Sequence, residues 1–419
     1  MRTFSVLLLL LLINFFNAMA QPSPIFIDSK MLNTLFKSKT YFDTILQNKM
    51  KHNIQIIYTE INRNVHNVPS FKTHTYNVNE DNYFYPASTA KMPIAFLALQ
   101  KLNELNIKGL NVNTELHMDS ARPSQTKAIF DLSALNKKAT ISNYIKKLFI
   151  VSDNDANNRL YEFLGQEYIN NSMQKMGYEK AQILHRLGVA MEDEQHRYTN
   201  PLIFKDKKGK LIYTQPEVKS NLQYIKRANF LGKGFYKNDS LINKPFDFSK
   251  KNNLPLAYLT DMLLSVIFAK NFSANKQFAL TKSDYKFLHR YLSQMPTDNA
   301  YPIFDSTERY DSYCKFLMYG SDPKIQIPKS IRIFNKIGVA YGFVTDVAYI
   351  VDFENKIEFA LSATIHVNDD DIFNDDKYEY ETIAYPFMKK LGEIIYEYEL
   401  KRERAFKPNL KNMIFDYSK

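Results

Sequence analysis

Residues 84–105 open with Phe84-Tyr85-Pro86-Ala87-Ser88-Thr89-Ala90-Lys91 and continue through Met92, Ile94, Phe96, Leu99 and Leu102 to Leu105. Tyr85-Pro86-Ala87 breaks the chain, because proline fixes φ and disfavours a helical residue before it. From Ser88 onward almost no polar face is left, and a helix that is apolar on nearly every side is buried. A serine opening such a helix sits where backbone N–H groups and the helix dipole favour developing negative charge. Lys91 follows on the same face, and burial lowers a lysine's proton affinity toward that of a usable base. The spacing alone is weak, since seven Ser-x-x-Lys matches start at Ser88, Ser124, Ser172, Ser273, Ser283, Ser312 and Ser321. Context singles out Ser88; the competing reading is an N-cap serine and a lysine that reaches solvent.

Ser152-Asp153-Asn154 is the only Ser-Asp-Asn in the chain and lies between helices predicted at 141–150 and 154–164. A second hydroxyl there relays a proton to a leaving nitrogen, and the Asn154 carboxamide holds a substrate amide. A helix cap would use the same residue types. Lys336-Ile337-Gly338 falls inside a predicted strand, 332–339. Lys-x-Gly also occurs at Lys175, Lys207 and Lys390, so position carries the reading. A lysine on an edge strand beside a cleft binds a carboxylate, and glycine lets substrate backbone approach.

Around these motifs, 54–61 is β-branched and aromatic, with 74–78 as its hairpin partner, and 331–339, 345–352 and 357–366 are strand-like. Helices are predicted at 33–49, 88–105, 166–176, 255–269, 282–292 and 381–403. Polar stretches at 192–249 and 297–330 read as long loops or insertions. The expected fold is α+β: an α/β sandwich lobe from about 21–87 and 331–419, its antiparallel sheet formed from both chain ends. An all-α lobe with insertions, about 88–330, packs against it to leave a cleft.

The 419 residues are 45% hydrophobic, enough to bury a large core, which excludes a disordered chain. Met1-Arg2-Thr3, an apolar run from Phe4 to Phe16 and Asn17-Ala18-Met19-Ala20 compose a cleavable secretory signal over 1–20. The run is shorter than the roughly 20 residues that span a bilayer, so the expectation is export to the periplasm or beyond, without stable membrane insertion. Cys314 is the only cysteine, which excludes an intrachain disulfide; with no histidine near it, it reads as a buried structural thiol. The net charge of +11 is spread over scattered lysines, a solvated surface rather than a nucleic-acid face. No metal or organic cofactor is called for, and nothing in the pattern speaks to oligomeric state.

Ser88-x-x-Lys91, Ser152-Asp153-Asn154 and Lys336-x-Gly338, in this order, resemble the signature set of class A β-lactamases and penicillin-binding proteins. Residues 84–91, 151–158 and 341–350 also resemble that family's nucleophile region, Ser-Asp-Asn helix and following strand pair. The resemblance covers 53–189 and 331–403; the stretch 198–330 is longer than the family needs. It implies a β-lactam or peptidoglycan-derived substrate, attacked by Ser88 with Lys91 as base and Ser152 passing the proton to the departing nitrogen. It further implies that Lys336 holds the substrate carboxylate and keeps the Ser152 proton mobile, and that Asn154 binds the acyl side chain. The oxyanion would lie between the N–H groups of Ser88 and Val339, the residue after Gly338.

Two departures bear on substrate and turnover. Ile337 stands where the family has Thr or Ser, which weakens or alters carboxylate recognition. The family's deacylating Glu is followed four residues later by Asn; in the corresponding zone, 192–201, Glu192 and Glu194 are the candidates, but His196 and Tyr198 stand at the fourth position. Asp193 is a third acidic candidate. Acylation is thus expected. Its outcome divides between a β-lactamase-like hydrolase and a cell-wall D-alanyl peptidase or esterase, with a non-catalytic envelope-binding protein as a third reading.

Overall fold

The computed structural model describes residues 27–418, so the expected signal segment lies outside the described residues. Its centre is a five-stranded antiparallel sheet in the order Ile331–Ala340, Phe343–Asp352, Ile357–His366, Gln55–Arg63, Pro69–Tyr76. Both chain ends contribute, as the sequence predicts, and the strand carrying Lys336 is an edge strand. Every residue of Phe343–Asp352 is buried because both faces are covered. Successive side chains alternate across the sheet: Val344, Ala348 and Ile350 enter one core, Phe343, Val347, Tyr349 and Val351 the other.

The first core is closed by helices Lys30–Lys37, Thr40–Gln47 and Tyr385–Lys401 through Leu32, Phe36, Phe42, Phe387, Leu391 and Ile395. The second holds the helical lobe, in which Ile141–Ile150 and Asn154–Leu164 pack on Lys91–Leu105. Residues 91–99 of that central helix are all buried, because it runs through the middle of the lobe and has no solvent side. Helix Leu256–Ile267 lies between the lobe and the sheet.

Three expectations need correction. The helix predicted over 33–49 is two helices, broken where the Ser38 hydroxyl donates to Leu35 O at 2.6 Å in place of a continuing turn. The closing helix begins with a π-helical turn, Tyr380–Ala384. The stretch 192–249 is not loop throughout but carries short strands on either side of 216–229, which has no helix or strand. Leu202–Lys205 and Leu211–Gln215 form a hairpin that adds to Glu115–Met118, turning at Asp206-Lys207-Lys208-Gly209 with Gly209 at φ +82°. Farther on, Phe246 and Phe248 stack against Tyr341 and Phe373, and Phe248 reaches Tyr85, three residues before Ser88. This part of the insertion therefore buttresses the turn that carries Ser88. By contrast, 297–330 is turns and a short 3-10 segment, Ser306–Glu308.

Candidate active site

Ser88 lies in a 3-10 turn, Ala87–Ala90, that runs directly into Lys91–Leu105. Ala87 has φ +45°, a left-handed conformation that costs a residue with a Cβ about 1–2 kcal/mol. The turn is held by Pro86 O, which accepts from the Thr89 N–H at 3.0 Å and the Thr89 hydroxyl at 2.6 Å. Ala87, Thr89 and Ala90 are buried, whereas Ser88 is partly exposed and lines the cleft.

Gly338 lies against this turn. A Cβ there would sit 2.4 Å from Pro86 O, 3.1 Å from Thr89 N and 3.2 Å from Ser88 N. The glycine thus lets the edge strand approach the protein's own Ser88 turn, rather than substrate backbone as the sequence reading has it. The contact brings the neighbouring Val339, also a cleft residue, beside Ser88.

Lys91 is fully buried, and its three hydrogen bonds all run to one turn: to Ser152 O, to Ser152 Oγ at 3.2 Å and to Asn154 Oδ1 at 2.7 Å. Lys336 Nζ donates to the same Ser152 Oγ at 2.7 Å and to Ile337 O at 3.1 Å. Two amines therefore converge on one hydroxyl. Ser152 holds φ +59°, and Asp153 accepts from Ala156 N at 2.6 Å. The cap and site readings of Ser-Asp-Asn are thus divided: Asp153 caps Asn154–Leu164, while Ser152 and Asn154 face the lysines. Burial, and second to it the charge of Lys336, holds Lys91 well below the usual lysine range; burial pushes Lys336 down to about 8. Two buried ammonium groups sharing an oxygen repel each other, so the arrangement favours one neutral amine and one charged.

A polar layer under the edge strand was not singled out from sequence. Buried Asp346 accepts from Asn335 Nδ2 at 2.7 Å and from the N–H groups of Phe316 and Leu317 at 3.1 Å. Lys315 Nζ donates to Asn335 Oδ1 at 2.6 Å and to Ile333 O at 2.9 Å. The layer ties 313–317 to the strand bearing Lys336. Its signal was the two polar residues, Asn335 and Asp346, that interrupt otherwise apolar strands. Cys314 is buried beside it and forms part of the cleft wall; burial raises its thiol, which agrees with the structural reading.

The segment that meets Asn154 is 185–189, upstream of the zone expected to supply a deacylating carboxylate. Asn158 fixes it, donating to Leu187 O and accepting from Leu187 N, both at 2.9 Å. Arg186 adds a buried pair with Glu162. Gly188 abuts the site, so closely that a Cβ would lie 2.6 Å from Asn154 Nδ2. Glu192 and Glu194 are exposed and do not line the cleft. Glu194 pairs with Lys219 at 2.9 Å and Asp193 with Lys250 at 3.1 Å. The cause is the 3-10 turn Gln195–Arg197, which buries His196 and leaves the acidic residues before it in solvent.

The cleft encloses about 1020 Å³. Ser88, Ser152, Asn154, Ile337 and Val339 line the motif side; Glu308, Tyr310 and Tyr313, from 297–330, form the facing wall. No group of three or more His, Cys, Asp and Glu side chains among the described residues is arranged to hold a metal.

Residues 37–222 match the family described as the beta-lactamase enzyme family. No curated protein matches the chain in sequence. Among solved structures, the chain is similar to a beta-lactamase from Sphaerobacter thermophilus at 11% identity and a TM-score of 0.47, over 90% of this chain and 100% of that one. A class A beta-lactamase from Clostridium kluyveri gives 14% identity and 0.46, over 85% and 98%. A protein described as PBP-A gives 14% and 0.46, over 90% and 99%. The fold is established by the sheet order and its two covered faces, not by these distant likenesses. Residues 37–222, which carry Ser88, Lys91 and the Ser152 turn, are thus similar to the beta-lactamase enzyme family, and Lys336, outside that match, meets them at the Ser152 hydroxyl.

Proposed function

We propose that the chain is an exported serine hydrolase that forms an acyl-enzyme on Ser88 and opens the cyclic amide of a β-lactam. The observation that carries this reading is the convergence of Lys91 and Lys336 on the Ser152 hydroxyl, beside a serine that faces the cleft. Neutral Lys91 takes the Ser88 proton, and Oγ bonds to the carbonyl carbon. The oxyanion is held between the N–H groups of Ser88 and Val339. As the C–N bond breaks, Ser152 delivers a proton to the nitrogen and takes one from protonated Lys91, 3.2 Å from its Oγ, while charged Lys336 keeps that hydroxyl oriented. Water then has to release the acyl group.

A second reading, a cell-wall D-alanyl peptidase or esterase on the same site, is favoured by the surface position of Glu192 and Glu194 and by Gly188 at the segment beside Asn154. With no carboxylate from that segment to activate water, the acyl-enzyme persists. Incubation with a penicillin, following intact mass and ring opening together, separates the two. A transient adduct with continuing ring opening supports the β-lactamase reading, and a lasting stoichiometric adduct the peptidase reading. Neither adduct nor ring opening removes both. Export is tested by N-terminal sequencing of the secreted protein, expected to begin at Gln21.

A further inference from the structure

Away from the cleft, the loop 131–137 turns its polar groups inward and its apolar ones outward. It is closed by hydrogen bonds from Asp131 N to Lys137 O at 3.1 Å and from Lys137 N to Ala134 O at 2.9 Å, above a bridge between Phe130 and Lys138. The Asp131 carboxylate is buried and accepts from Ser133 N at 3.2 Å, Ser133 Oγ at 2.5 Å and Lys147 Nζ at 3.1 Å. With the loop's one acidic group held inside, Leu132 and Leu135 are left 75% and 72% exposed, and Phe130 at the base 68%. The segment 301–303 lies alongside: Ile303 N donates to Ser133 O at 2.7 Å, and Tyr301 and Pro302 share a surface cavity with Ala134 and Leu135. Tyr301 and Ile303 are exposed as well. Single exposed apolar side chains are ordinary, but large ones gathered on two hydrogen-bonded segments form a patch, and such a patch marks a contact surface.

Charge and shape decide what this surface meets. Residues 127–147 contain five lysines, Lys127, Lys137, Lys138, Lys146 and Lys147, and one acidic residue, Asp131, which Lys147 neutralises. Lys127 pairs with Asp119 and Lys138 with Glu115. Lys137 and Lys146 have no carboxylate partner among the described residues, and Lys146 lines the same cavity as Leu135 and Tyr301. The exposed acid that follows Ile303 in the chain, Asp305, is engaged by the Thr307 N–H and hydroxyl of its own turn. The uncompensated charge around the leucines is therefore positive. Side chains three-quarters exposed also stand clear of the surface, and a rigid partner would need a pocket for each. The fluid boundary between headgroups and acyl chains of a bilayer takes a projecting apolar loop of any outline, and anionic headgroups complement the flanking lysines.

We propose that the loop 131–137, together with 301–303, docks the protein peripherally on the surface of an anionic lipid bilayer. The inference is independent of the chemistry at Ser88. Its test uses the secreted protein, expected to begin at Gln21 and so free of the apolar run of residues 4–16. The protein is sedimented at about 0.1 M salt with vesicles of phosphatidylglycerol and phosphatidylcholine, or of phosphatidylcholine alone. The wild type is expected to partition about tenfold more strongly onto the anionic vesicles. The double substitution Leu132→Ser and Leu135→Ser is expected to weaken that partition about tenfold, and Lys137→Gln and Lys146→Gln about fivefold each. These side chains are not core residues, so the unfolding midpoint of each variant should stay at the wild-type value. Phe230→Ser, which removes an exposed aromatic ring elsewhere on the surface, is the control and leaves the partition unchanged. Wild-type protein that stays in the supernatant with both vesicles, or binding that the leucine substitutions do not weaken, overturns the inference. So does a Phe230→Ser effect as large as theirs. A wild-type dimer in sedimentation equilibrium that the leucine substitutions dissociate also overturns it, by assigning the patch to a second copy of the chain.

Discussion

The two walls of the cleft are built from different kinds of structure. On one side Ser88, Lys91 and Lys336 sit on a helix start and a sheet edge, and Ser152 in the turn between two helices, with amines buried and hydrogen-bonded to one hydroxyl. On the other side Glu308, Tyr310 and Tyr313 stand on turns and a 3-10 segment, partly exposed, with one hydrogen bond fixing the carboxylate. Bond making requires positions fixed to fractions of an ångström, which packed elements provide; recognition tolerates a looser frame and varies with the loop that carries it. The first wall accordingly tolerates little change, and the second should change selectivity without stopping the chemistry.

The comparison can be broken most decisively at Lys91. Lys91→Met removes the proposed base, and acylation by a penicillin is expected to fall by about a thousandfold, within the range for a lost general base. A decrease comparable to that of a variant on the facing wall would place the base elsewhere. Gly338→Ala comes next. Its Cβ would press on Pro86 O and force the edge strand away from Ser88, with an expected loss of about a hundredfold in acylation and about 1–3 kcal/mol in stability by urea unfolding.

The pH profile sharpens the same wall. In the proposed chemistry Lys91 must be neutral, and burial and the charge of Lys336 hold it well below the ordinary lysine range, so acylation rises with pH as Lys91 loses its proton. Lys336 must be charged, and it loses its proton as pH rises through about 8. The acylation rate is therefore expected to fall above about pH 8, and a profile still rising at pH 10 contradicts these assignments. The smallest effect belongs to Glu194→Gln. Its carboxylate is exposed and paired with Lys219, so release of the acyl group should be unchanged and stability should move by less than about 0.5 kcal/mol. Accumulation of adduct in that variant would instead make Glu194 the deacylating base.

Much of the first wall was legible because its signals are local. The helices at 141–150 and 154–164 occur as predicted, since Thr140 and Asp153 cap them by accepting from Asn143 N and Ala156 N. The buried helix after Ser88 and the three strands after residue 331 follow from apolar pattern alone. What was not legible depends on contacts distant in sequence. The true partner of Gly338 is a turn some 250 residues earlier, and the segment beside Asn154 is set by the Asn158–Leu187 hydrogen bonds, not by counting residues from a motif. The 202–215 hairpin was available in the alternation around Asp206-Lys207-Lys208-Gly209 but was masked by the surrounding lysines. Glu308 has no motif around it; only the fold brings it to the cleft.

The central claim is that Ser88 is the nucleophile of a site completed by Lys91, Ser152 and Lys336. The most direct measurement is intact-mass analysis of the wild type and Ser88→Ala after exposure to a penicillin, with peptide mapping of any adduct. The account predicts one adduct per wild-type chain, mapped to the peptide containing Ser88, and none on Ser88→Ala. An adduct of equal yield on Ser88→Ala, or one mapped to another residue of the wild type, would contradict it.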